Sequence, residues 1–245
     1  MLAVRGLCKA FRVHRGSRIV LRDVSFTLAR SETLAIVGRS GAGKTTLARC
    51  VAGFETPDAG EILLNGRPIG RAERPRVQLI FQQPAASLNP RFTAQQILEE
   101  PLVIQRRDRR GAAARAMELV GLPPGALGRR AHQFSGGERQ RLAIARALVL
   151  DPAVLILDES FAGLDWRLRD QAAALLGELR ERLGIACLLI AHDFELAARM
   201  AQSLAVMEEG AIVEQGPTAE IMAAPRHPLT RELIAAARAL SLEDA

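Results

Sequence analysis

The chain has 245 residues, 49% of them hydrophobic and 24% charged, with a formal net charge of +6. That length supports one good-sized domain with a buried core, and the balance excludes a disordered or fibrous chain. No apolar run approaches the roughly 20 residues that span a bilayer, the start MLAVRGLCKAF lacks signal-peptide architecture, and Cys8, Cys50 and Cys187 are spaced for neither zinc nor a disulfide framework.

Strand patterns come first: LAVRGLCKAF, the alternating VLRDVSFTLA, and a short buried run, TLAIVG, at 33–38. A helix is expected from Lys44 to Val51, then strands in EILLNG and VQLIFQ. Residues 93–146 lose β-character and read as helical, with Ala112 to Val120 the clearest segment and LPPG at 122–125 a breaker. AVLILD at 153–158 is a fully apolar strand, Arg167 to Leu183 an amphipathic helix, and ACLLIAH at 186–192 another buried strand. SLAVMEEGAIVEQG reads as a hairpin on a Glu-Gly turn, and two short helices close the chain. Short buried strands alternating with helices indicate an α/β core with a parallel sheet, into which the middle helical stretch is inserted.

The basic balance does not point to nucleic acid. Every basic residue except Lys9 and Lys44 is arginine, a bias across the whole chain. The densest cluster, Arg106, Arg107, Arg109 and Arg110, is interrupted by Asp108 and lacks interleaved aromatics for base stacking. It reads as a solvated helix face or loop.

GRSGAGKT at 38–45 matches G-x-x-x-x-G-K-[ST] between a strand and a helix. Gly38, Gly41 and Gly43 let the backbone of Arg39, Ser40 and Ala42 wrap a polyphosphate as a nest of N–H groups. Lys44 supplies a point charge for the β- and γ-phosphates, and Thr45, followed by Thr46, offers a hydroxyl to Mg²⁺. This stretch says nucleoside triphosphate with Mg²⁺.

VLILDE at 154–159 ends an apolar strand in two carboxylates. Alternation along a strand gives them different tasks. Asp158 suits the Mg²⁺ shell, and Glu159 suits the water that attacks in phosphoryl transfer. His192 ends the next buried strand, on the carboxyl edge where ligands sit in open α/β sheets, and is a candidate γ-phosphate contact. QFSGGERQRLAIARAL at 133–148 raises a separate question. Ser135, Gly136 and Gly137 open a helix as an anion cradle would, yet no lysine stands beside them.

Taken together, GRSGAGKT, Gln82 in LIFQQP, FSGGERQR, LILDE, Gly163-Leu164-Asp165 and Ala191-His192-Asp193 resemble the ATP-binding cassette ATPases. The match runs over residues 2–240, one nucleotide-binding domain with a helical subdomain at about 88–146 and a short tail at 241–245. The resemblance implies a phosphate-loop core of mostly parallel sheet with an N-terminal antiparallel β subdomain. It assigns Gln82 to Mg²⁺ or the attacking water and to coupling with a membrane partner, Asp165 to the D-loop, and Phe11 to stacking on adenine, with Phe26 nearby. It also implies head-to-tail pairing of two cassettes, in which Ser135, Gly136 and Gly137 contact the γ-phosphate held by the other chain, and it places Glu138 among the nucleotide-binding residues. FSGGE stands where LSGGQ is commonest, and DESFAGLD replaces the frequent DEPTSALD, with Ser160 in place of proline.

QPAASLNPR at 83–91 and HPLTRELIAA at 227–236 resemble markers of the peptide and nickel importer branch. That branch implies two permeases, a second ATPase (a paralogue or a second copy), an extracytoplasmic binding protein, and a peripheral position on the cytoplasmic face of the membrane. The cargo, peptide or nickel chelate, stays open. A soluble cassette ATPase of DNA repair or translation fits poorly, because this is one cassette without a long coiled-coil insertion. SLNPR disfavours an exporter.

Overall fold

The computed structural model describes residues 1–14, 16–81, 84–160 and 166–243. In chain order it contains β1 (Leu2–Val13), β2 (Gly16–Leu28), β3 (Thr33–Val37), α1 (Lys44–Val51), β4 (Ala59–Leu64), β5 (Arg67–Pro68) and β6 (Val77–Ile80). Then come α2 (Ala94–Ile104), α3 (Ala112–Leu119), α4 (Gly136–Leu148), β7 (Val154–Asp158), α5 (Trp166–Leu183) and β8 (Ala186–Ile190). The chain closes with α6 (Phe194–Met200), β9 (Ser203–Glu208), β10 (Ala211–Pro217), α7 (Thr218–Ala223) and α8 (Pro228–Glu243). It divides into two compact units, residues 1–74 with 186–245, and residues 75–185.

The first unit holds an antiparallel sheet in the order β2-β1-β4-β5. It also holds parallel pairing of β3 with both β8 and β9, with β10 antiparallel on β9. All five residues of β3 and all five of β8 are buried, as an apolar run without alternation requires of an interior parallel strand. The β9–β10 hairpin turns on Glu209 and Gly210, both with positive φ, the geometry whose twist matches the flanking strands.

The second unit pairs β6 and β7 in parallel and packs α2, α3 and α4 against one another. The helical stretch expected at 93–146 is thus three helices, with the LPPG breaker lying in the connection between α3 and α4. Thr93 starts α2 with a capping box: its hydroxyl accepts from the Gln96 N–H at 3.3 Å, and the Gln96 side chain accepts from the Thr93 N–H at 2.9 Å. Ile97, Leu98, Met117, Leu142 and Ile144 are fully or almost fully buried between the helices and β6.

One expectation needs correction. The closing helices are not both short, because α8 runs 16 residues. Pro228 opens it with a preset φ, the leucine- and alanine-rich LTRELIAAARAL favours continuation, and Leu229, Thr230 and Ile234 bury one side.

Leu142→Ala is expected to cost about 2–5 kcal/mol in denaturant unfolding, because it leaves a cavity where α4 meets the other helices. A loss below about 1 kcal/mol would show that the helical layer collapses around the gap.

Candidate nucleotide site

The phosphate loop leaves the carboxyl end of β3 and enters α1 within the first unit. Its backbone comes close to neighbouring strands. A Cβ on Gly38 would lie 2.1 Å from the Met207 carbonyl oxygen, and one on Gly43 would lie 2.7 Å from that of Val20. Both glycines have positive φ, so a side chain fails on space and on conformation alike. The Ala42 carbonyl accepts from the Gly210 N–H at 3.1 Å, tying the loop to the β9–β10 turn. Lys44 is only 4% exposed, and its ammonium donates to the carbonyls of Gly38 at 2.7 Å and Arg39 at 3.0 Å. Thr45 and Thr46 follow on the first turn of α1, at the end where backbone N–H groups lack intrahelical partners.

β8 pairs in register with β3, Ile190 opposite Ile36, and the Ala191 N–H donates to the Ile36 carbonyl at 3.1 Å. His192 and Gly38 therefore leave adjacent strand ends on the same edge. Asp193 then caps α6, accepting from the Leu196 N–H at 3.0 Å. Phe11 is half-buried on β1, with the Lys9 ammonium 5.2 Å from its ring centroid. Phe26 is a core residue, so of the two aromatics weighed for adenine only Phe11 shows its ring to solvent.

In the second unit, Asp158 ends β7 and is buried. Glu159 follows at φ 50°, a left-handed conformation that costs a non-glycine residue on the order of 1 kcal/mol and clusters at functional sites. Ser160 is buried too. Its hydroxyl donates to the Ile80 carbonyl at 2.9 Å, and its own carbonyl accepts from Gln140 Nε2 at 3.4 Å. Serine in the place of the usual proline thus ties the end of β7 to β6. Gln140 is a site residue that sequence reasoning passed over. The signal was a glutamine among the apolar positions of FSGGERQRLAIA.

Ser135 is the N-cap of α4. Its hydroxyl accepts from the Glu138 N–H at 3.3 Å while the Glu138 carboxylate accepts from the Ser135 N–H at 2.7 Å. That backbone hydrogen bond holds the Glu138 carboxyl below its usual range. Glu138, expected to bind nucleotide, is occupied with capping. Ser135 and Gly136 are exposed, and a Cβ on Gly136 would meet nothing within 4 Å. Phe134 is buried under the Arg129 guanidinium, 4.4 Å from the ring centroid. SLNPR joins this helix: Arg146 of α4 donates to the Ser87 carbonyl at 3.0 Å and to its hydroxyl at 3.2 Å, and Asn89 turns the chain by accepting from the Arg91 N–H. Gln82 and Asp165 lie outside the described residues.

Residues 21–162 match the ABC transporter family. The chain belongs to that family. A Brucella ovis ATP-binding protein named for peptide import is 40% identical over 96% of this chain and 78% of its own length. The peptide transport system ATP-binding protein SapF of Salmonella typhimurium is 38% identical over 96% of this chain and 92% of its own. Its Escherichia coli K12 counterpart, equally similar, is named for putrescine export. CbiO1 of Clostridium perfringens, part of the transporter complex cbiONQ, has a TM-score of 0.80 at 30% identity, over 91% of this chain and 90% of that one. The cassette MJ0796, bound to ADP and Pi in a dimeric structure, has a TM-score of 0.76 at 24% identity over 89% and 99%, and shows the fold.

As an ABC transporter ATPase, the chain binds ATP and couples its hydrolysis to transport. The site residues expected from the sequence are divided between the two units: loop, lysine and histidine lie in one, acidic strand end and signature helix in the other. Among the described residues no helix is long and apolar enough to cross a membrane. Glu159→Gly is expected to raise unfolding stability by about 0.5–1 kcal/mol by removing the left-handed strain. A destabilised variant would mean that contacts of the carboxylate outweigh the backbone strain.

Proposed function

We propose that this chain is the ATPase subunit of a peptide importer, working beneath two permeases and pairing head to tail with a second cassette, itself or a paralogue. A binding protein outside the cell would deliver the cargo. The observation that carries the cargo class is the 40% identity, across nearly the whole chain, to a protein named for peptide import. SLNPR and HPLTREL support the same branch. Nickel chelates rest on those motifs alone. Export is the second reading, favoured by the putrescine name of one relative.

Residues Gly38 to Thr46 hold the triphosphate, with Lys44 exchanging loop carbonyls for phosphate oxygens. Thr45 and Asp158 offer hard oxygen donors, a set that suits Mg²⁺ held mainly by phosphate oxygens and water. When bound there with the nucleotide, Mg²⁺ would supply neutralisation of the phosphate charge. Glu159 orients the attacking water and accepts its proton, assisted by Gln82. His192 holds the γ-phosphate. Phe11 stacks on adenine, and Asp165 serves as the D-loop aspartate.

The exposed, capped Ser135 with open space at Gly136 supports a cradle completed by another chain. A capping hydroxyl keeps a lone pair for one N–H and can still donate its proton to a phosphate. For the permease, a shallow cleft in the second unit is lined by Leu79, Ile80, Phe81, Ser87, Pro101 and Arg146. Phe81 on its lining is the residue before Gln82 in sequence, which suits a permease segment docking at this cleft.

Glu159→Gln is expected to lower hydrolysis by about 100- to 10,000-fold, the range for loss of a general base, and to accumulate an ATP-bound dimer. Light scattering at saturating ATP reads the dimer, and an all-monomer result with ATP bound would remove Glu159 from the water-orienting role. Lys44→Ala is expected to abolish high-affinity ATP binding by calorimetry. Unchanged binding would refute the loop assignment.

A further inference from the structure

HPLTREL has no task in ATP chemistry, yet the structure gives it a definite position. Glu214 of β10 accepts from the backbone N–H groups of Arg226 at 2.8 Å and His227 at 2.9 Å. His227 Nδ1 accepts from the Leu229 N–H at 3.3 Å, and its Nε2 lies 3.9 Å from the Glu208 carboxylate. These bonds fix the chain just before α8, and buried Leu229, Thr230 and Ile234 fix which side of the helix faces inward. Glu232 is left exposed, one turn after Pro228, and its carboxylate accepts from the Arg39 guanidinium at 2.5 Å.

Arg39 is the second residue of GRSGAGKT. Its side chain is held by Glu232, which also raises its pKa, chiefly through that hydrogen bond. Its carbonyl accepts from the Ala42 N–H at 3.2 Å and from the Lys44 ammonium at 3.0 Å. One residue is thus anchored outside by the C-terminal helix and inside by the phosphate-binding lysine. Both flanking glycines, Gly38 and Gly41, have positive φ, so the loop gains little stiffness from its own backbone.

We propose that Glu232 is a positioning residue for nucleotide binding: by holding the Arg39 side chain it fixes the loop segment whose carbonyl holds Lys44. The proposal rests on residues 38–45 being the triphosphate site. It gives HPLTREL a role as the clasp that brings α8 to the phosphate loop.

Both side chains of the pair are more than half exposed, so the effect is modest and weakened by salt. In the full-length chain at low ionic strength, Glu232→Ala should weaken ATP binding and raise KM about two- to fivefold, the range open to an exposed ion pair, while kcat stays in place. Glu232→Gln, which keeps an acceptor, should recover most of the loss. High salt should shrink the difference between Glu232→Ala and wild type.

The deciding measurement is a double-mutant cycle with Arg39→Ala. Adding Glu232→Ala to Arg39→Ala should have no further effect, whereas a helix that merely docks would give additive losses. Additivity, or unchanged or tighter ATP binding by Glu232→Ala, overturns the brace when Lys44→Ala still abolishes binding. If Lys44→Ala binds ATP normally, the loop assignment itself fails, and the proposal with it.

Discussion

Lys44 is an ammonium group with almost no contact with solvent, and a charge in that position must be compensated locally. The compensation comes from two carbonyls of its own loop, Gly38 and Arg39. For those oxygens to turn toward Lys44, the backbone has to press against β9 and β2 closely enough to exclude a Cβ at 38 and 43. The strand register then decides the rest. β3 delivers the loop, β8 delivers His192 to the same edge, and β9 delivers the hairpin turn that holds Ala42.

The signature segment obeys a different economy of polar groups. A helix start leaves N–H groups unpaired, and Ser135 with Glu138 satisfies two of them reciprocally. What remains is an exposed serine and a glycine with empty space above it, on a helix anchored by buried Gln140, Leu142 and Ile144. A surface that is rigid beneath and bare above suits an anion brought by a partner. Local capping and the proposed assembly would thus share the same residue.

Much of this was legible in sequence because it is local. The loop, the apolar strand ending in Asp158-Glu159 and the serine cap each occupy a few consecutive residues whose identities dictate backbone conformation. Buried strands β3, β7 and β8 announced themselves as unbroken apolar runs. The left-handed φ of Glu159 was hidden, since nothing in its identity distinguishes it from an ordinary strand end. Gln140 with Ser160, Arg146 with Ser87, and Arg39 with Glu232 were hidden for another reason: partners far apart in sequence meet only after the fold forms. The length of α8 was underestimated because its apolar face is sparse, while propensity and a proline start carry it through 16 residues.

Ser160 shows how a departure from the common pattern can be structural rather than corrosive. A proline there would offer no hydroxyl, and the Ile80 carbonyl at the end of β6 would need another donor. With serine, the residue after Glu159 is bonded on one side to β6, which runs on through Phe81 to Gln82, and on the other to Gln140 of the signature helix. Within the second unit, the acidic strand end, the approach to the Q-loop and the signature helix are therefore linked through one buried side chain and its backbone. A shift at any of the three must strain at least one of these hydrogen bonds, at 2.9 and 3.4 Å, or move the others with it. Such contiguous polar links are the physical means by which hydrolysis could be felt at the permease side of a cassette.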